Sequence, residues 1–595
     1  MKSSYSISGF VSFVILAACF STGFLILASR LKVEQVDLVA EHRRQMQSQS
    51  MRRLQTVGLR GRIFDRNGVV LADNRTLINI VVNPESYRAK NRGETTEGNL
   101  AAALERASEI IGRPPVVDNR DIRRHLQQSL AIPLEVWHDI SEDELARFSE
   151  RQHELEGFEC SLGFERVYPH GMLAAHVLGR VGRDRQPENY GDEKINFVDK
   201  ELCGRDGLEL QYDALLRGKP GKERVLVDAL GFATKREIVE ETRNGFDINL
   251  TIDFKLQKAG ESALRGLRGA FVAVDPRDGA VRAMVSSPSF DPRECVPVFP
   301  RSLYERYSKD PAKPLLNRAV AGLYAPGSTF KPLTALAALD ADLDPSAKYE
   351  CIGFYEIAGM KIRCARTWGH GEVDLVNAIK ESCNPYFCEI GVMSGTNLIN
   401  SVCRNFGLGS KTGIDFPIEE EGLVPNAFEK AKRTPQARWN SGDVAQTSIG
   451  QGLLLVTPLQ MALVASALGT GKMPVPHLVK TGSFASRPRD LGISEKNRAL
   501  VVEGMRRVVD GGTGRRAVDR VAADVIGKTG TAEVGSGGRK RKNTWFIAYV
   551  TPNENSLVQE PLALALVIEN GDTGGSTSAP KAGEILRSFY GELQK

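Results

Sequence analysis

One apolar stretch near the start of the chain places the strongest constraint on its fold. The segment FVSFVILAACFSTGFLILAS, residues 10–29, contains no charged residue and has the length of a helix that crosses a bilayer. A cleaved signal peptide and a lipoprotein signal are the alternatives, because residues 16–19 (LAAC) resemble a lipoprotein cleavage box. The apolar run continues for ten residues beyond Cys19, whereas the apolar core of a signal ends near its cleavage site. We therefore expect an uncleaved membrane anchor.

The rest of the chain has the composition of folded globular protein. Of its 595 residues, 42% are hydrophobic and 25% are charged, and this length requires several domains. The net charge of +5 is small against 78 basic and 73 acidic residues. It gives no sign of the clustered basic face that nucleic-acid binding requires, so we expect no nucleic-acid partner.

Local patterns predict the elements that follow the anchor. Residues 33–56 are polar and helix-prone, which predicts a stalk leaving the membrane. RGRIFDRNGVVLADN predicts two short strands joined at Asn67-Gly68, and residues 95–155 are rich in helix-forming runs. The pattern changes near residue 246, where DINLTIDFKLQKAGESALRGL predicts a strand followed by an amphipathic helix. GAFVAVDPRDGAVRAMVSS then predicts two strands about a Pro-Arg-Asp-Gly turn.

Three short motifs in the C-terminal part of the chain carry its chemistry. They are Ser-Thr-Phe-Lys at 328–331, Ser-Cys-Asn at 382–384 and Lys-Thr-Gly-Thr at 528–531. A serine hydroxyl is a poor nucleophile until a base removes its proton. Lys331 lies one helical turn from Ser328, and it can be that base if burial or a neighbouring cation lowers its pKa. The spacing therefore predicts acyl transfer through a serine.

Neighbouring groups can supply the remaining parts of an acyl-transfer site. A helix that begins at Ser328 presents unpaired backbone N–H groups, which stabilise developing negative charge. We expect the backbone N–H of Thr531 to be the second oxyanion donor, opposite that of Ser328. Ser382 can relay a proton toward the leaving amine. Asn384 can hold both the lysine and a substrate amide, because its side chain both donates and accepts hydrogen bonds.

The segment VIGKTGTAEV is predicted to be a strand that binds the substrate. Gly530 allows close backbone contact with a ligand, and Lys528 and Thr529 offer charge and a hydroxyl to a substrate carboxylate. The same residues imitate the end of a phosphate-binding loop, but the earlier glycine of such a loop is Ala522 here. Taken singly, each motif has an ordinary structural explanation, such as an N-cap serine or a turn.

Together and in this order, the motifs form the signature of penicillin-recognising serine enzymes. The chain resembles the class B penicillin-binding proteins, which are monofunctional peptidoglycan D,D-transpeptidases. The likeness covers nearly the whole chain and includes LRGRIFDRNGVVLADN and GLELQYDALLRGKPG besides the three motifs. CARTWGHGEVDLVNAIKESCNPYF and SIGQGLLLVTPLQMA are most similar to the elongation, rod-shape type. A specialised role such as spore-wall synthesis fits the same motifs.

The resemblance implies an α+β fold with three parts. Residues 1–32 would form a cytoplasmic tip and a transmembrane helix, and residues 33–245 an elongated, mixed α/β pedestal domain of the dimerisation type. Residues 246–595 would form a transpeptidase domain whose antiparallel sheet is flanked by helices. The implied location is the inner membrane, crossed once, with the N-terminus in the cytoplasm and the catalytic domain in the periplasm.

The resemblance also implies the reaction and the partners. Ser328 would attack the terminal D-Ala-D-Ala bond of a stem peptide, D-alanine would leave, and an amine of a neighbouring stem would attack the acyl-enzyme. A β-lactam would mimic the donor and stall at the acyl stage. Because no glycosyltransferase module is visible, strand polymerisation would fall to a polytopic glycosyltransferase of the SEDS family, with other elongation-complex proteins as further partners.

Four residues around the second motif have a spacing typical of a metal site. Cys351, Cys364, His370 and Cys383 are separated by twelve, five and twelve residues, and three thiolates with one imidazole form a common tetrahedral zinc set. In an extended segment, the Cys383 side chain would point away from those of its two neighbours, so zinc there would hold the second motif in place. A similar stretch holds zinc in some elongation-type relatives, and the resemblance therefore implies a structural zinc.

The cysteines also allow other interpretations. A Cys351–Cys364 disulfide or simply buried thiols would explain the same spacing, and Cys388 is a possible substitute ligand. Cys160 and Cys203 could form a pair.

Two other functions compete with the transpeptidase. A β-lactamase or β-lactam sensor is one, because STFK also occurs in oxacillinase-type enzymes. Those enzymes have Ser-x-Val as their second motif, and this chain shows no clear deacylating glutamate motif. The other is a non-catalytic activator of a glycosyltransferase, but the complete set of motifs favours an enzyme.

Overall fold

The computed structural model describes residues 7–38, 50–183, 197–198, 202–480, 487–535 and 541–593. The α-helices in these segments are Ile7–Lys32, Thr96–Ile111, Asn119–Gln128, Glu142–Glu150, Ala175–Leu178, Gly207–Gln211, Asp213–Arg217, Phe254–Ala263, Arg301–Lys309, Arg318–Ala321, Lys331–Leu339, Leu375–Glu381, Asn384–Asn405, Ala427–Arg433, Ser441–Ser448, Pro458–Thr470, Glu495–Asp510 and Ala579–Tyr590. The strands are Met51–Thr56, Ile63–Phe64, Val70–Val82, Leu134–Trp137, Phe158–Val167, Val181–Arg183, Phe197–Val198, Leu202–Gly204, Gly221–Val227, Ala233–Glu240, Ile248–Asn249, Gly269–Val274, Val281–Ser287, Tyr349–Cys351, Phe354–Ile357, Met360–Arg363, Gly371–Val373, Lys472–Met473, Arg489–Asp490, Ala523–Val534, Arg541–Pro552 and Leu562–Glu569.

The first helix has the properties of a membrane span. The stretch Phe10–Asp37 has a window of mean hydropathy 2.4, none of which is buried against the rest of the protein. By length and composition this helix can cross a bilayer once, as the sequence predicted. The predicted stalk lies partly outside the described residues. Its last part, Met51–Thr56, is a strand that pairs antiparallel with Gly221–Val227, so the helical prediction is wrong there because sheet pairing overrides local propensity.

In the described residues of the N-terminal unit, 50–250, two larger sheets of four and five strands are accompanied by a pair of short strands and by several helices. The predicted hairpin is confirmed, because Ile63–Phe64 and Val70–Val82 pair about a turn in which Gly68 has a φ of +87°. One sheet has the order 233–240, 221–227, 51–56, 197–198. The other has the order 248–249, 63–64, 70–82, 134–137, with 158–167 also pairing with 70–82. The helices Thr96–Ile111, Asn119–Gln128 and Glu142–Glu150 contribute apolar side chains to the core around Trp137 and Phe158.

A buried ion cluster ties three segments of this unit together. Glu209 Oε2 lies 2.6 Å from Arg60 Nε, and Glu209 Oε1 lies 2.8 Å from Arg166 Nε. The side chains of Glu209 and Arg166 are fully inaccessible, and that of Arg60 is 6% exposed. Asp213 pairs with Arg60 as well, at 2.8 Å. Burial raises the pKa of Glu209, but the two guanidinium groups more than offset this and bring it below its usual value.

The C-terminal unit, residues 251–593, is built on an antiparallel sheet of five strands. Their order is 281–287, 269–274, 562–569, 541–552 and 523–534, and the strands predicted about the Pro-Arg-Asp-Gly turn pair as expected. Adjacent residues such as Phe546 and Ile547 enter different cores, because successive side chains of a strand point to opposite faces. The helix Pro458–Thr470 contributes to one core, and Phe254–Ala263 and Ala579–Tyr590 to the other.

The two units are continuous at the predicted boundary. Ile248–Asn249 pairs in parallel with Ile63–Phe64, and the next residue, Leu250, forms a bridge with Val479 of the C-terminal unit. The division at residue 245 stays a prediction. The strand Ala523–Val534, which carries the third motif, lies at the edge of its sheet.

Candidate active site

The structure brings the three motifs together around the hydroxyl of Ser382. Lys331 Nζ lies 3.2 Å from Ser382 Oγ, 2.6 Å from Ser382 O and 2.7 Å from Asn384 Oδ1. Lys528 Nζ donates to the same hydroxyl at 3.0 Å and to Thr529 O at 2.9 Å. One hydroxyl therefore links the lysines of the first and third motifs.

Ser328 lies in a 3₁₀ turn, Gly327–Phe330, directly before the helix Lys331–Leu339. The α-helix thus begins three residues later than the sequence predicted. Ser328 is half-buried, and its hydroxyl makes no hydrogen bond to any residue that the structure describes. The side chain is therefore available to an incoming group.

Gly327 brings this turn against the edge strand of the sheet. Its φ is +55°, and a Cβ there would lie 2.7 Å from Thr531 O. Its N–H donates to Gly450 O at 2.8 Å. Only glycine fits this left-handed and closely packed position.

The edge strand turns the backbone of Thr531 toward the cleft. Thr531 O accepts a hydrogen bond from Gln451 Nε2 at 3.3 Å and faces the turn that holds Ser328. In an antiparallel sheet, the N–H and C=O of one residue point to the same side of the strand. The N–H of Thr531 therefore faces the cleft as well, which is the orientation that an oxyanion donor requires.

Both lysines are fully buried, and this changes their protonation. Burial lowers the pKa of Lys331 to about 8, although the thiols of Cys383, Cys364 and Cys388 raise it in part. Burial and the charge of Lys331 hold the pKa of Lys528 well below its usual value. The repulsion between the amines therefore acts on Lys528, whereas the sequence analysis assigned it to Lys331. Lys331 is left as a base with a pKa close to neutrality.

Ser382 adopts an unusual backbone conformation at the centre of the site. Its φ is +56°, in the left-handed region, between the helices Leu375–Glu381 and Asn384–Asn405. The prediction of an extended segment at 382–384 is therefore wrong, because the motif is a turn between two helices. Left-handed backbone is costly for a residue other than glycine, and the bond from Lys331 to the Ser382 carbonyl helps to hold it.

Asn384 uses both ends of its amide. Its Oδ1 accepts from Lys331 Nζ, and its Nδ2 donates to Arg363 O at 2.8 Å. Within the part of the chain that the structure describes, the second proton on Nδ2 has no partner and can donate to a substrate carbonyl, because an amide nitrogen carries two donors. The role in substrate binding stays a prediction.

The remaining members of the third motif line the same cleft. Thr529 is buried, with 5% of its surface exposed, and its Oγ1 lies 2.6 Å from Thr513 Oγ1. Thr513 itself is exposed. Gly530 packs against Pro326 O, which a Cβ would approach to 2.9 Å. The sequence analysis missed Thr513 and Gln451, although the glycines around each of them, in GGTG and GQG, signal unusual backbone close to a ligand.

The four predicted metal ligands form one cluster behind the second motif. The ligand atoms of Cys351, Cys364, His370 and Cys383 all lie within 4.8 Å of one another. His370 Nδ1 is 3.7 Å from Cys351 Sγ and 3.4 Å from Cys364 Sγ. A tetrahedral zinc with ordinary bond lengths separates a nitrogen and a sulfur ligand by about 3.5 Å. The donor set therefore fits a tetrahedral metal ion.

The surroundings of the cluster agree with this fit. His370 Nε2 lies 4.0 Å from Glu381 Oε2, and metal-bound imidazoles commonly turn their other nitrogen toward a carboxylate. Cys351, Cys364 and Cys383 form no disulfide bond. Cys388 donates to Ala445 O at 3.6 Å instead of entering the cluster, and Cys160 and Cys203 are not joined.

Comparisons with known proteins agree with this architecture. The model of the penicillin-binding protein transpeptidase domain matches residues 269–587, and that of the penicillin-binding protein dimerisation domain matches residues 55–250. The peptidoglycan D,D-transpeptidase MrdA of Acinetobacter baumannii is 32% identical over 575 residues, which cover 93% of this chain and 84% of that protein.

Two solved structures extend the likeness to three dimensions. Penicillin-binding protein PBP2 of Helicobacter pylori, solved in complex with MreC, is 26% identical with a TM-score of 0.76, over 90% of this chain and 98% of that one. A chain from a peptidoglycan synthase complex, solved to study the coordination of polymerization and crosslinking, is 28% identical with a TM-score of 0.72. That match covers 98% of this chain and 99% of the other.

Proposed function

This chain belongs to the penicillin-binding transpeptidase family, and we propose that it is a serine-type peptidoglycan D,D-transpeptidase that acts in cell-wall elongation. The observation that carries the proposal is that Lys331 and Lys528 meet at the Ser382 hydroxyl, while the turn that carries Ser328 packs against the edge strand at Thr531. The likeness to MrdA supports the elongation role. The reaction is transfer of an acyl group from a D-Ala-D-Ala stem peptide to an amine.

The acylation step gives each of these groups a role. Lys331, when neutral, takes the proton of Ser328 as Oγ attacks the carbonyl of the penultimate D-alanine. The backbone N–H groups of Ser328 and Thr531 stabilise the oxyanion. Ser382 is bonded to both lysines and passes a proton to the departing amine. The C–N bond breaks, D-alanine leaves, and an ester remains on Ser328.

The second half of the reaction reuses the same groups. An amine of a neighbouring stem attacks the ester, its proton returns through Lys331, and Ser328 is regenerated as the new amide forms. The terminal carboxylate of the donor lies at the hydroxyls of Thr529 and Thr513, beside Gly530. Lys528 is buried, and its role there is to hold Ser382 through a hydrogen bond.

Labelling with a fluorescent penicillin tests the proposed function. Full-length protein in detergent should give one stable adduct by intact mass, and peptide mapping should place it on Ser328. The protein should also release D-alanine from a D-Ala-D-Ala donor and join the acyl group to an added amine. Rapid release of hydrolysed drug would instead indicate a β-lactamase, and a folded protein without label would indicate a non-catalytic activator.

The rate of acylation should depend on pH through Lys331. Only the neutral amine can take the serine proton, and its pKa is about 8. The second-order rate constant for penicillin labelling should therefore rise with pH, reach half its maximum near pH 8 and level off above. Stopped-flow or quenched-flow labelling between pH 6 and pH 9.5 measures this.

Lys331→Arg is the matched variant for this pH profile, because a guanidinium keeps its proton throughout this range. It should lose about 10³-fold or more in rate and show no rise near pH 8. An unchanged profile in this variant would remove Lys331 from the role of base.

We also propose that the cluster of Cys351, Cys364, His370 and Cys383 holds one structural zinc ion. The mutual distances of the donor atoms support it, as does the carboxylate of Glu381 behind His370. When bound, the ion would cross-link its four ligands and leave no coordination position open. Cys383 lies between Ser382 and Asn384, so this cross-link would fix the turn that carries both of them.

Removal of the metal should destabilise the C-terminal unit. Native mass spectrometry should find one zinc per chain, and Cys364→Ser should lose it together with roughly 5–10 °C of thermal midpoint. Cys160→Ser is the matched control, because this exposed cysteine lies outside the cluster. Wild-type protein purified without bound metal, or a Cys364→Ser midpoint equal to that of the wild type, would overturn the zinc proposal.

The membrane topology and the partners are proposals as well. With the N-terminus in the cytoplasm, the helix Ile7–Lys32 would place both units in the periplasm, where stem peptides are cross-linked. The likeness to a chain of a peptidoglycan synthase complex and to a PBP2 solved with MreC supports binding to other proteins of cell-wall synthesis. We propose a polytopic SEDS-family glycosyltransferase as one of these partners. Cysteine accessibility at the two ends of the helix and co-purification from membranes are the tests.

A further inference from the structure

Trp545 is a fully buried residue to which the proposed reaction gives no role. Its indole Nε1 donates to Ala325 O at 3.0 Å, and Ala325 lies three residues before Ser328. Trp545 is also the register partner of Gly530, on the strand that carries the third motif. The residue therefore contacts both the segment that leads to the nucleophile and the strand that binds the substrate.

The backbone of Trp545 fixes the edge strand beside it. Along an antiparallel strand, successive residues turn their N–H and C=O groups to alternate sides. Because those of Thr531 face the cleft, those of Gly530 face Trp545, and the two paired residues exchange backbone hydrogen bonds. The Thr531 N–H thus lies one residue away from this pair, and the pair sets its position.

The side chain of Trp545 fixes the segment that leads to Ser328. Residues opposite each other on paired strands have their side chains on the same face. Gly530 has no side chain, and a Cβ there would lie 2.9 Å from Pro326 O and 3.1 Å from Trp545 Cβ. The backbone at 325–326 can therefore pack on the sheet beside the indole, whose N–H binds it.

A second set of contacts holds the indole in place. The ring of Tyr324 lies edge-on against that of Trp545, with centroids 5.9 Å apart and an interplanar angle of 85°. Tyr324 OH donates to Glu569 Oε1 at 3.0 Å, and Arg318 and Arg268 each bind the same carboxylate at 2.8 Å. This network limits the indole to one orientation, because an edge-on aromatic pair has a defined geometry.

We propose that Trp545 is a positioning residue that sets the distance between the backbone N–H groups of Ser328 and Thr531. Its backbone holds the strand of Thr531, and its Nε1–H holds the residue that leads into the turn of Ser328. Both N–H groups must reach the same oxyanion, which forms only as Ser328 Oγ adds to the carbonyl. The inference rests on the proposed function, because it concerns the oxyanion donors of the same site.

Trp545→Phe tests the proposal, because phenylalanine keeps an aromatic ring and lacks the N–H donor. Quenched-flow labelling of the full-length protein over a range of benzylpenicillin concentrations separates the dissociation constant of the first complex from the rate constant of acylation. The rate constant should fall by about ten- to a hundredfold, since a small displacement of a catalytic group has an effect of this size. The dissociation constant should stay within about twofold of the wild-type value, because only the transition state uses the oxyanion donors.

A boronic acid with the phenylacetamido side chain of benzylpenicillin reports on the oxyanion donors directly. Ser328 Oγ adds to its boron, and one oxygen of the tetrahedral adduct takes the place of the oxyanion. The affinity for this compound should fall in Trp545→Phe by about the same factor as the acylation rate constant.

Trp137→Phe is the matched control. Trp137 is also fully buried, and its Nε1 donates to a backbone carbonyl, Arg113 O, at 3.0 Å, but it lies in the N-terminal unit. Both variants lose one buried indole hydrogen bond, so their thermal midpoints should fall by similar amounts. Trp137→Phe should acylate at the wild-type rate.

Replacement of Trp545 by β-(3-benzothienyl)alanine keeps the bicyclic shape without the donor, and it should slow acylation as Trp545→Phe does. A wild-type acylation rate constant in this protein would overturn the inference, because the shape of the side chain and not its donor would then position the turn. A loss confined to the dissociation constant would overturn it too, and the proposed function would stand in both cases. Failure of benzylpenicillin to acylate wild-type Ser328 would overturn both.

Discussion

A Ser328→Ala variant is expected to lose penicillin labelling and transpeptidation by at least about 10⁴-fold, because the group that forms the acyl-enzyme is gone. The loss should appear in the chemical step, with binding of the unreacted β-lactam retained. The folded state should change little, since the Ser328 hydroxyl makes no hydrogen bond to any described residue and is only half-buried. Intact mass after incubation with benzylpenicillin, together with thermal unfolding, measures both effects.

Ser382→Ala separates this result from a general disturbance of the site. Ser382 Oγ is bonded to both lysines, so its removal should slow acylation but leave a measurable adduct on Ser328. A stable adduct of normal yield in Ser328→Ala would show that another residue is the nucleophile.

Glu209→Gln should produce the largest loss of stability. The change leaves Arg166 buried without its carboxylate partner. Arg60 keeps one carboxylate partner, Asp213. Removal of one partner from a buried ion pair costs about 3–5 kcal/mol. Chemical unfolding followed by circular dichroism, and hydrogen exchange in residues 60–74, 158–167 and 207–217, should both report it.

Acid should reduce the difference between Glu209→Gln and the wild type. The pKa of Glu209 is below its usual value in the folded state, so its contribution is present above the unfolded pKa of about 4.3 and disappears as the pH falls through the folded pKa. Glu97→Gln is the control, because the ion pair between Glu97 and Arg123 is exposed. Its denaturant midpoint should hardly differ from that of the wild type. Equal stabilities of Glu209→Gln and wild type at pH 7 would show that the cluster contributes nothing.

Local sequence patterns sufficed for the elements with short-range causes. The hairpin at Gly68 depends on its turn, and the strand that carries Lys528 follows from its own apolar pattern. The cysteine and histidine spacing likewise anticipated a cluster that the fold brings together. In these cases the determining residues are neighbours in sequence or belong to one motif.

The features that were missed depend on contacts between distant segments. Met51–Thr56 is a strand only because Gly221–Val227 lies beside it. The backbone of Ser382 is in the left-handed region because two helices meet at this residue and Lys331 binds its carbonyl. Nothing in GQG reveals that Gln451 faces Thr531, since that contact spans 80 positions of the chain.

The orientation of Thr531 has a consequence for antibiotic resistance. The groups that Thr531 turns toward the cleft are main-chain N–H and C=O, and every amino acid except proline supplies both. Substitution of the Thr531 side chain therefore cannot remove these two hydrogen bonds from an inhibitor without also removing them from the natural donor. We expect resistance to arise in residues that shape the approach to this edge, while inhibitors that use only its backbone should retain their affinity longest.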